Sequence, residues 1–575
     1  MTDFALRPTH SRRARWLPRR GGLLLAVSGA VALLVLLPVL ALGEISAQGS
    51  GDLWPHLIEN VLPVALQQTL ALLLGVGLVT TLIAVPCAWL VATCSFPGRG
   101  LFEWALLLPL AVPSYIVAYC YLDVLHPLGP VQGALRFLLG ISSPRGLHLP
   151  DLRSTGGCIF VLSVVLYPYV YLSARASFLV QSAAALEVAR TLGAGRLRTF
   201  VRIAMPLARP AIVAGVTLAL LETLGDIGAS EFLGMRTLTV SIYTTWVNRS
   251  NLPGAAQIAL VMLALVLVLI VAERAARRSR RYVATGSARP QAPARLTGPA
   301  ALGAVVLCAV PVLLGFGVPL LHLLNAAIQR IEFSGISLGI LREARNSAAL
   351  ALAGTAVALG LGLAVAVAQR LDRSRLGTAF ARIASLGYAV PGTVLAIGLL
   401  TPLAAFDNVV DQFARQFAGL STGLLISGSG GALVIAYAIR FLTIPIGGVE
   451  AGYAKMSAHL DMAARNLGCT RPAMVQRIHL PLLRPALATA ALIVFVDGMK
   501  ELPATLLLRP LGVETLSTHI YAEAARSTYE DGALAALLIV LVGLLPVILL
   551  ARVSRIATRP AGSRGSPGGG SAVSD

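Results

Sequence analysis

One stretch of the 575-residue sequence occurs twice and decides how the chain is organised. The first copy, residues 189–211, reads ARTLGAGRLRTFVRIAMPLARPA, and the second, residues 464–486, reads ARNLGCTRPAMVQRIHLPLLRPA. A shift of 275 residues aligns the two copies without a gap, and 12 of the 23 positions are identical. Self-similarity at a fixed separation indicates a duplicated domain.

The residues around these copies are strongly apolar. The chain is 56% hydrophobic and only 13% charged, with a mean hydropathy of +0.79, whereas soluble domains are about 25% charged. Apolar runs of about 20 residues, the length that crosses a bilayer, recur along the whole chain. The sequence therefore predicts an all-α polytopic membrane protein with about 12 transmembrane helices, arranged as two homologous six-helix halves. The expected spans are 21–43, 64–92, 101–122, 156–176, 208–230, 256–273, 298–322, 346–368, 379–403, 425–446, 483–506 and 533–551.

The net charge of +20 does not indicate nucleic-acid binding, because the basic residues lie in short clusters between apolar runs. With a cytoplasmic N-terminus, the connecting segments on the inside hold 33 Lys and Arg residues and those outside hold 11. Such a bias follows the positive-inside rule. We expect a multi-pass protein of the bacterial inner (plasma) membrane, with both termini and both repeated loops in the cytoplasm.

The expected domain boundaries follow from the spans and from shifts in composition. Between the halves lies a basic, then Pro-rich segment, which is typical of a linker. The C-terminal tail is rich in Gly and Ser and is expected to be disordered. The predicted divisions are a basic cytoplasmic N-terminus (1–20), a first transmembrane domain (21–273), a cytoplasmic linker (274–297), a second transmembrane domain (298–552) and a cytoplasmic tail (553–575).

Each repeated loop lies between the fourth and fifth span of its half, and its pattern predicts two short helices joined at a glycine. An amphipathic loop lying on the membrane surface is the alternative, but it does not explain why the same loop occurs twice. The loops resemble the signature of permease subunits of binding-protein-dependent ABC importers: EAA, three residues, Gly, nine residues, Ile, one residue, Leu-Pro. The matching residues are Glu187, Ala189, Gly193, Ile203 and Pro206 in the first copy, and Ala463, Ala464, Gly468, Ile478 and Pro481 in the second.

Three positions depart from that signature: Val188, Met205 and Met462. Met462 stands where the family has Glu, and Asp461, one position earlier, is a candidate to supply the missing carboxylate. The resemblance implies that both loops are coupling helices that seat in a separate ATPase subunit, with two ATPase copies beneath one chain. It also implies a periplasmic solute-binding protein as a partner.

The sequence contains no phosphate-binding loop of its own. That motif requires GxxxxGK followed by Ser or Thr, and the two lysines of the chain, Lys455 and Lys500, are followed by Met and Glu. We therefore expect a transport subunit and not an enzyme, with no cofactor in this chain and with ATP and Mg²⁺ on the partner ATPase.

Acidic residues interrupt the fifth and eleventh spans, where charge is costly. Glu222 and Asp226 align with Asp497 and Glu501 under the 275-residue shift, and a spacing of four places each pair on one helix face. Intramembrane carboxylates commonly mark a solute path. The structural alternative is that Lys500 neutralises a neighbouring carboxylate, or that some of these groups lie at the headgroup level.

The amino-acid sequence around these carboxylates resembles that of iron(III) ABC-importer permeases, and the resemblance covers most of both halves. The resemblance implies a fused two-domain permease for ferric iron, with no stably bound metal. Related permeases for thiamine, phosphonate or sulfate are alternatives, and so, less strongly, is an ion-coupled secondary transporter, which would not explain the paired loops. The segments that carry the resemblance are FPGR (96–99), LLPLAVPSYIVAY (107–119), ETLGDIG (222–228) and VDGMKELPATLLLRP (496–510).

Overall fold

The computed structural model describes residues 22–143, 146–147, 149–181, 195–278, 293–335, 337–372 and 374–557. Within these ranges the chain is almost entirely helical. Ten helices are long and apolar enough to cross a membrane, or twelve if two bent helix pairs each count as one span. The predicted architecture of two six-helix halves is confirmed. Spans 1 to 6 are Gly22–Ala47, Leu53–Thr93, Arg99–Ala111 with Ser114–Val124, Thr155–Leu179, Phe200–Gly225 and Leu252–Arg277. Spans 7 to 12 are Gly298–Phe333, Leu338–Leu371, Gly392–Ala418, Gly431–Phe441 with Thr443–Ala454, Arg471–Met499 and Glu530–Leu549.

Shorter helices connect these spans, and three of them, Pro130–Leu139, Leu238–Val247 and Leu516–Ala525, lie outside every predicted span and loop. Within the described ranges, strand structure is confined to Cys94–Ser95 and Ala294–Arg295, which pair in parallel. This pair holds the end of the predicted linker against the end of span 2. The short helices are Pro130–Leu139, Gly228–Phe232, Leu238–Val247, Arg375–Ala384, Ala458–Asn466, Pro503–Leu508 and Leu516–Ala525.

Several spans differ from their predicted course, and four of these differences have local causes or mark the cavity. Span 3 bends by 90° at Pro113, and span 9 begins only at Gly392, directly after Pro391. Proline has no N–H to continue a helix, so both breaks follow from the residue type. Spans 5 and 11 end at Gly225 and Met499, several residues before their predicted ends, and a short helix follows each of them.

A wide π-helical turn precedes a proline in four of the spans. A proline inside a helix leaves a carbonyl of the preceding turn without its partner, and a wider turn accommodates this. Two of the turns lie 275 residues apart, in the repeated stretch. The four turns are Leu57–Val61, Phe200–Ala204, Leu313–Gly317 and Val475–His479.

The first span of each half packs against the other half. Span 1 lies against spans 8 and 9 of the second half, and span 7 lies against spans 2, 3 and 4 of the first. The two main apolar cores accordingly mix the halves: one joins most of the first half to span 7, and the other joins most of the second half to span 1. The halves are therefore interlocked and do not form two separable bundles.

Glycines allow these crossed contacts to be close. A Cβ atom at Gly398 in span 9 would clash with the backbone oxygen of Pro38 in span 1. A Cβ atom at Gly315 in span 7 would clash in the same way with the backbone oxygen of Val164 in span 4. At both positions the obstacle is backbone, which cannot rotate away.

We expect Gly398→Ala to destabilise the protein by about 1–3 kcal/mol, since the added methyl group must push span 1 away from span 9. Thermal unfolding of the purified chain in detergent measures this as a lower melting temperature. Gly360→Ala is the matched control, because Gly360 lies in the helix of span 8 with no atom near its missing Cβ. Equal melting temperatures for the two variants would contradict the crossed packing.

Candidate functional site

A cavity between the two halves brings together all four carboxylates that the sequence singled out. Its volume is about 120 Å³. Its walls come from spans 3, 4 and 5 of the first half and from the Tyr388 turn and spans 10 and 11 of the second. Its charged lining residues are Glu222, Asp226, Arg440, Asp497, Lys500 and Glu501.

Two of the carboxylates hold the breaks after spans 5 and 11. Asp226 Oδ1 accepts a hydrogen bond from the Ser230 backbone N–H at 2.8 Å, and its Oδ2 accepts one from the Ser114 hydroxyl. Glu501 accepts from the backbone N–H groups of Ala504 and Thr505 at 2.9 and 3.0 Å. Both acids thus satisfy the free donors at the start of a short helix. Only 9% of Asp226 and 4% of Glu501 are exposed.

The Glu501 carboxylate also binds an arginine from span 10. Arg440 Nη1 lies 3.1 Å from Glu501 Oε1. The guanidinium fits because the residue after Pro391 is Gly392, at which any Cβ would clash with Arg440 Nη1. In the first half the residue after Pro113 is Ser114, whose hydroxyl contacts Asp226 instead. Sequence reasoning did not assign Arg440 to the site, although an arginine inside an apolar run is itself a signal.

The other two carboxylates lie one helical turn earlier and face the cavity. Glu222 accepts a hydrogen bond from the Tyr388 hydroxyl, which belongs to the second half. Asp497 Oδ1 pairs with Lys500 Nζ at 2.9 Å, and about a quarter of each side chain is exposed. These are the acids that a molecule in the cavity can reach. Tyr388 was not identified from the sequence and has no motif that would reveal it.

Tyrosines add neutral oxygen atoms to the same cavity. Tyr115, Tyr169 and Tyr388 all line it. Tyr115 is 4% exposed, and its hydroxyl has no hydrogen-bond partner within the part of the chain that the structure describes. With four carboxylates against two cations, the lining favours a positively charged occupant and disfavours an anion.

At the end opposite the repeated loops, the halves are joined by a tyrosine and a glutamate. The Tyr521 hydroxyl, between spans 11 and 12, donates to Glu231 Oε2, between spans 5 and 6, at 2.5 Å. The ring of Tyr521 stacks on Phe232 with centroids 5.6 Å apart. This contact holds the halves together on that side of the cavity.

The second repeated loop has the predicted helix–glycine–helix form. The helix Ala458–Asn466 carries Asp461, Ala463 and Ala464, and Gly468 turns the chain with a φ of +76°. Such an angle favours glycine because it has no Cβ. Ile478 lies in the π-helical turn that follows, and Pro481 lies in the first turn of the next helical segment. In the first copy, Ile203 and Pro206 lie at the same places, whereas Glu187, Ala189 and Gly193 fall outside the described residues.

The Asp461 carboxylate turns toward the protein interior, where it contacts Arg370 and His479. Arg370 Nε lies 2.9 Å from Asp461 Oδ2, and His479 Nε2 lies 3.1 Å from Oδ1. Tyr453 completes the cluster: its hydroxyl lies 3.0 Å from His479 Nδ1, and its ring lies beneath Arg370. Burial acts to raise the pKa of Asp461, but the hydrogen bonds from His479 and Arg370 outweigh it and hold that pKa below its ordinary value. The loop instead exposes apolar side chains, Leu460, Met462 and Leu467.

In the first half, two of the described positions that match this polar cluster carry apolar side chains. Phe178 stands at the position of Tyr453 under the 275-residue shift, and Ala204 stands at the position of His479. The ring of Trp89 lies 5.3 Å from the rings of both Phe178 and Phe200. The matching positions in spans 4 and 5 and in spans 10 and 11 therefore differ in chemistry.

The chain is similar to known transport proteins along most of its length. A family model described as binding-protein-dependent transport system inner membrane component matches residues 74–282 and again 356–559. The Fe(3+)-transport system permease protein FbpB 2 of Haemophilus influenzae is 24% identical over 490 residues, covering 84% of this chain and 89% of that protein. The molybdenum transport system permease protein ModB of Escherichia coli is 31% identical over 224 residues, covering 37% of this chain and 94% of that protein. The spermidine/putrescine transport system permease protein PotB of the same species is 28% identical over 237 residues, covering 40% of this chain and 84% of that protein.

Asp461→Asn should release the second loop at neutral pH, because it removes the charge that Arg370 and His479 bind. Hydrogen bonds to a charged group are worth about 2 kcal/mol, and hydrogen exchange of residues 458–481 measures the loss. Because the folded pKa is lowered, the stabilisation is present above the unfolded pKa of about 3.9 and is lost as the pH falls through the folded value. Met462→Gln, on the exposed face of the same helix, is the control. If the aspartate variant keeps native protection at pH 7, the cluster does not anchor the loop.

Proposed function

This chain belongs to the family of binding-protein-dependent transport system inner membrane components, and we propose that the solute it moves is ferric iron. As a member of that family it is the permease of an ABC importer, a multi-pass transport component of the inner membrane. The observation that carries the proposal is the cavity between the halves, where four carboxylates meet only two cations.

The cavity chemistry suits a hard, highly charged cation. Such ions prefer oxygen ligands, and here carboxylates and phenols from both halves surround one space. No group of three or more His, Cys, Asp or Glu side chains is arranged to hold a metal ion among the described residues. A path that binds its solute weakly also releases it, as transport requires. One relative that aligns with both halves is named as an Fe(3+) permease, which supports the same cation.

An oxyanion fits this lining poorly, since Glu222 and Asp497 would repel it. This argues against molybdate, sulfate and phosphonate, even though a molybdenum permease is among the relatives. A polyamine is the second candidate, because the acidic lining would also attract its ammonium groups and a spermidine/putrescine permease aligns with part of the chain.

We propose that the two repeated loops bind two copies of a cytoplasmic ATPase, with both termini of the chain on that side. The exposed Leu460, Met462 and Leu467 of the second loop form an apolar surface suited to a groove on such a partner. ATP binding would draw the loops together and separate Glu231 from Tyr521 at the far end, where a periplasmic binding protein delivers the solute. Hydrolysis would restore the closed contact. The 33-to-11 distribution of basic residues supports this orientation.

The double variant Glu222→Gln with Asp497→Asn should abolish ferric-iron uptake, because it removes the two reachable charges and leaves both helix-capping acids in place. The measurement is ATP-dependent uptake of radioactive iron into proteoliposomes that contain the chain, its ATPase and its binding protein. Replacing Asp226 and Glu501 is a poorer test, since the breaks after spans 5 and 11 depend on them.

Ser429→Ala, at an exposed position outside the cavity, is the control and should leave uptake unchanged. Molybdate and spermidine are tested in the same vesicles. Normal iron uptake by the double variant would refute the acidic path, and uptake of spermidine without iron would favour the second candidate.

A further inference from the structure

The two halves differ at the cavity in how their reachable carboxylates are balanced. Under the 275-residue shift, Lys500 corresponds to Gly225, so the second half supplies its own cation beside Asp497 and the first half does not. The Arg440 guanidinium, which belongs to the second half, lies beside Gly225: a Cβ there would be 3.9 Å from Arg440 Nη2. Asp497 is paired with the Lys500 ammonium at 2.9 Å, whereas Glu222 is met by the neutral hydroxyl of Tyr388.

Lys500 and Arg440, the two cations of the cavity, pair with carboxylates that have different structural roles. Arg440 contacts Glu501, which is almost fully buried and whose oxygens also cap the helix Pro503–Leu508. Moving Arg440 would therefore disturb the break after span 11. Lys500 contacts Asp497, which accepts no hydrogen bond from the start of a helix among the described residues. About a quarter of the Lys500 side chain is exposed. A flexible lysine can swing away from such a partner without unfolding a helix.

We propose that Lys500 is a resident counter-ion that competes with the cationic solute for Asp497. In the empty cavity its ammonium neutralises that carboxylate. An entering cation must displace it, and the ammonium returns when the cation leaves. This inference rests on the proposed function, because it takes the occupant of the cavity to be a cation.

The residues around the Lys500–Asp497 pair support the binding of a ligand in this part of the cavity. Tyr115, Tyr169 and Tyr388 line the same cavity. The Tyr388 hydroxyl contacts Glu222. A hard cation that takes the place of the ammonium would therefore find a phenol oxygen beside one of the two reachable carboxylates.

The consequence is selection by charge. The cost of displacing Lys500 is the same for every cation, whereas the attraction to Glu222 and Asp497 grows with the charge of the ion. Monovalent and weakly bound divalent ions would therefore leave the pair intact at their ordinary concentrations. The same competition lowers the affinity for the solute and helps its release.

Terbium(III) tests this, because it is a hard trivalent cation whose luminescence is sensitised by nearby tyrosines. It is titrated into the purified full chain in lipid nanodiscs. We expect Lys500→Gln to tighten terbium binding about tenfold, equivalent to ~1.4 kcal/mol. Lys500→Arg should bind like the native chain, because it keeps the charge. Lys455→Gln, which changes the other lysine of the chain, should have no effect.

The effect of Lys500→Gln should vanish when Asp497 is already Asn. Unchanged or weaker terbium binding by Lys500→Gln, or the same tightening in the Asp497→Asn background, would overturn the proposal for Lys500. A third outcome separates the two proposals. If the native chain binds terbium and Glu222→Gln weakens that binding while Lys500→Gln does not change it, the cavity binds cations but Lys500 is not a competing counter-ion. If terbium binding to both the native and the Lys500→Gln chains is insensitive to Glu222→Gln, both proposals fail.

Discussion

A helix that restarts inside an apolar interior leaves backbone N–H groups without water to accept from them, and the chain must supply acceptors itself. Asp226 and Glu501 meet this requirement at the breaks after spans 5 and 11. Because each break is fixed in this way, the residue one turn earlier, Glu222 or Asp497, is directed to the space between the halves. The cavity and its charge both depend on these two caps.

The two helix-capping carboxylates, Asp226 and Glu501, lie at equivalent positions because the domain is duplicated. Their other partners differ because the two halves have diverged. Asp226 accepts from the Ser114 hydroxyl, whereas Glu501 accepts from Arg440, which fits because Gly392 has no side chain. A similar divergence separates the rings of Trp89, Phe178 and Phe200 in the first half from the polar cluster around Asp461 in the second. The symmetry of the backbone is thus kept while the second half supplies both cations of the cavity.

Much of this architecture could be predicted from the sequence, because hydropathy and the internal repeat can both be recognised within short stretches of neighbouring residues. The twelve spans, the two loops and the four carboxylates all follow from residue type and spacing. The breaks at Pro113 and Pro391 were also visible as prolines, but a hydropathy window runs through them. The crossed packing of spans 1 and 7 depends on contacts between residues far apart in the chain, such as Gly398 with Pro38. The partners of Glu222 and Asp461 depend on such contacts too, and no spacing rule reveals them.

We propose that the solute passes between Glu222 and Asp497 as a ferric ion. Anomalous diffraction at the iron edge, from crystals of the chain with its ATPase grown in ferric iron, measures this most directly. We expect one anomalous peak in the cavity between these two carboxylates, with the Lys500 ammonium displaced from Asp497. A cavity without iron in a complex that still transports it, or iron bound at another place along the spans, would contradict this path.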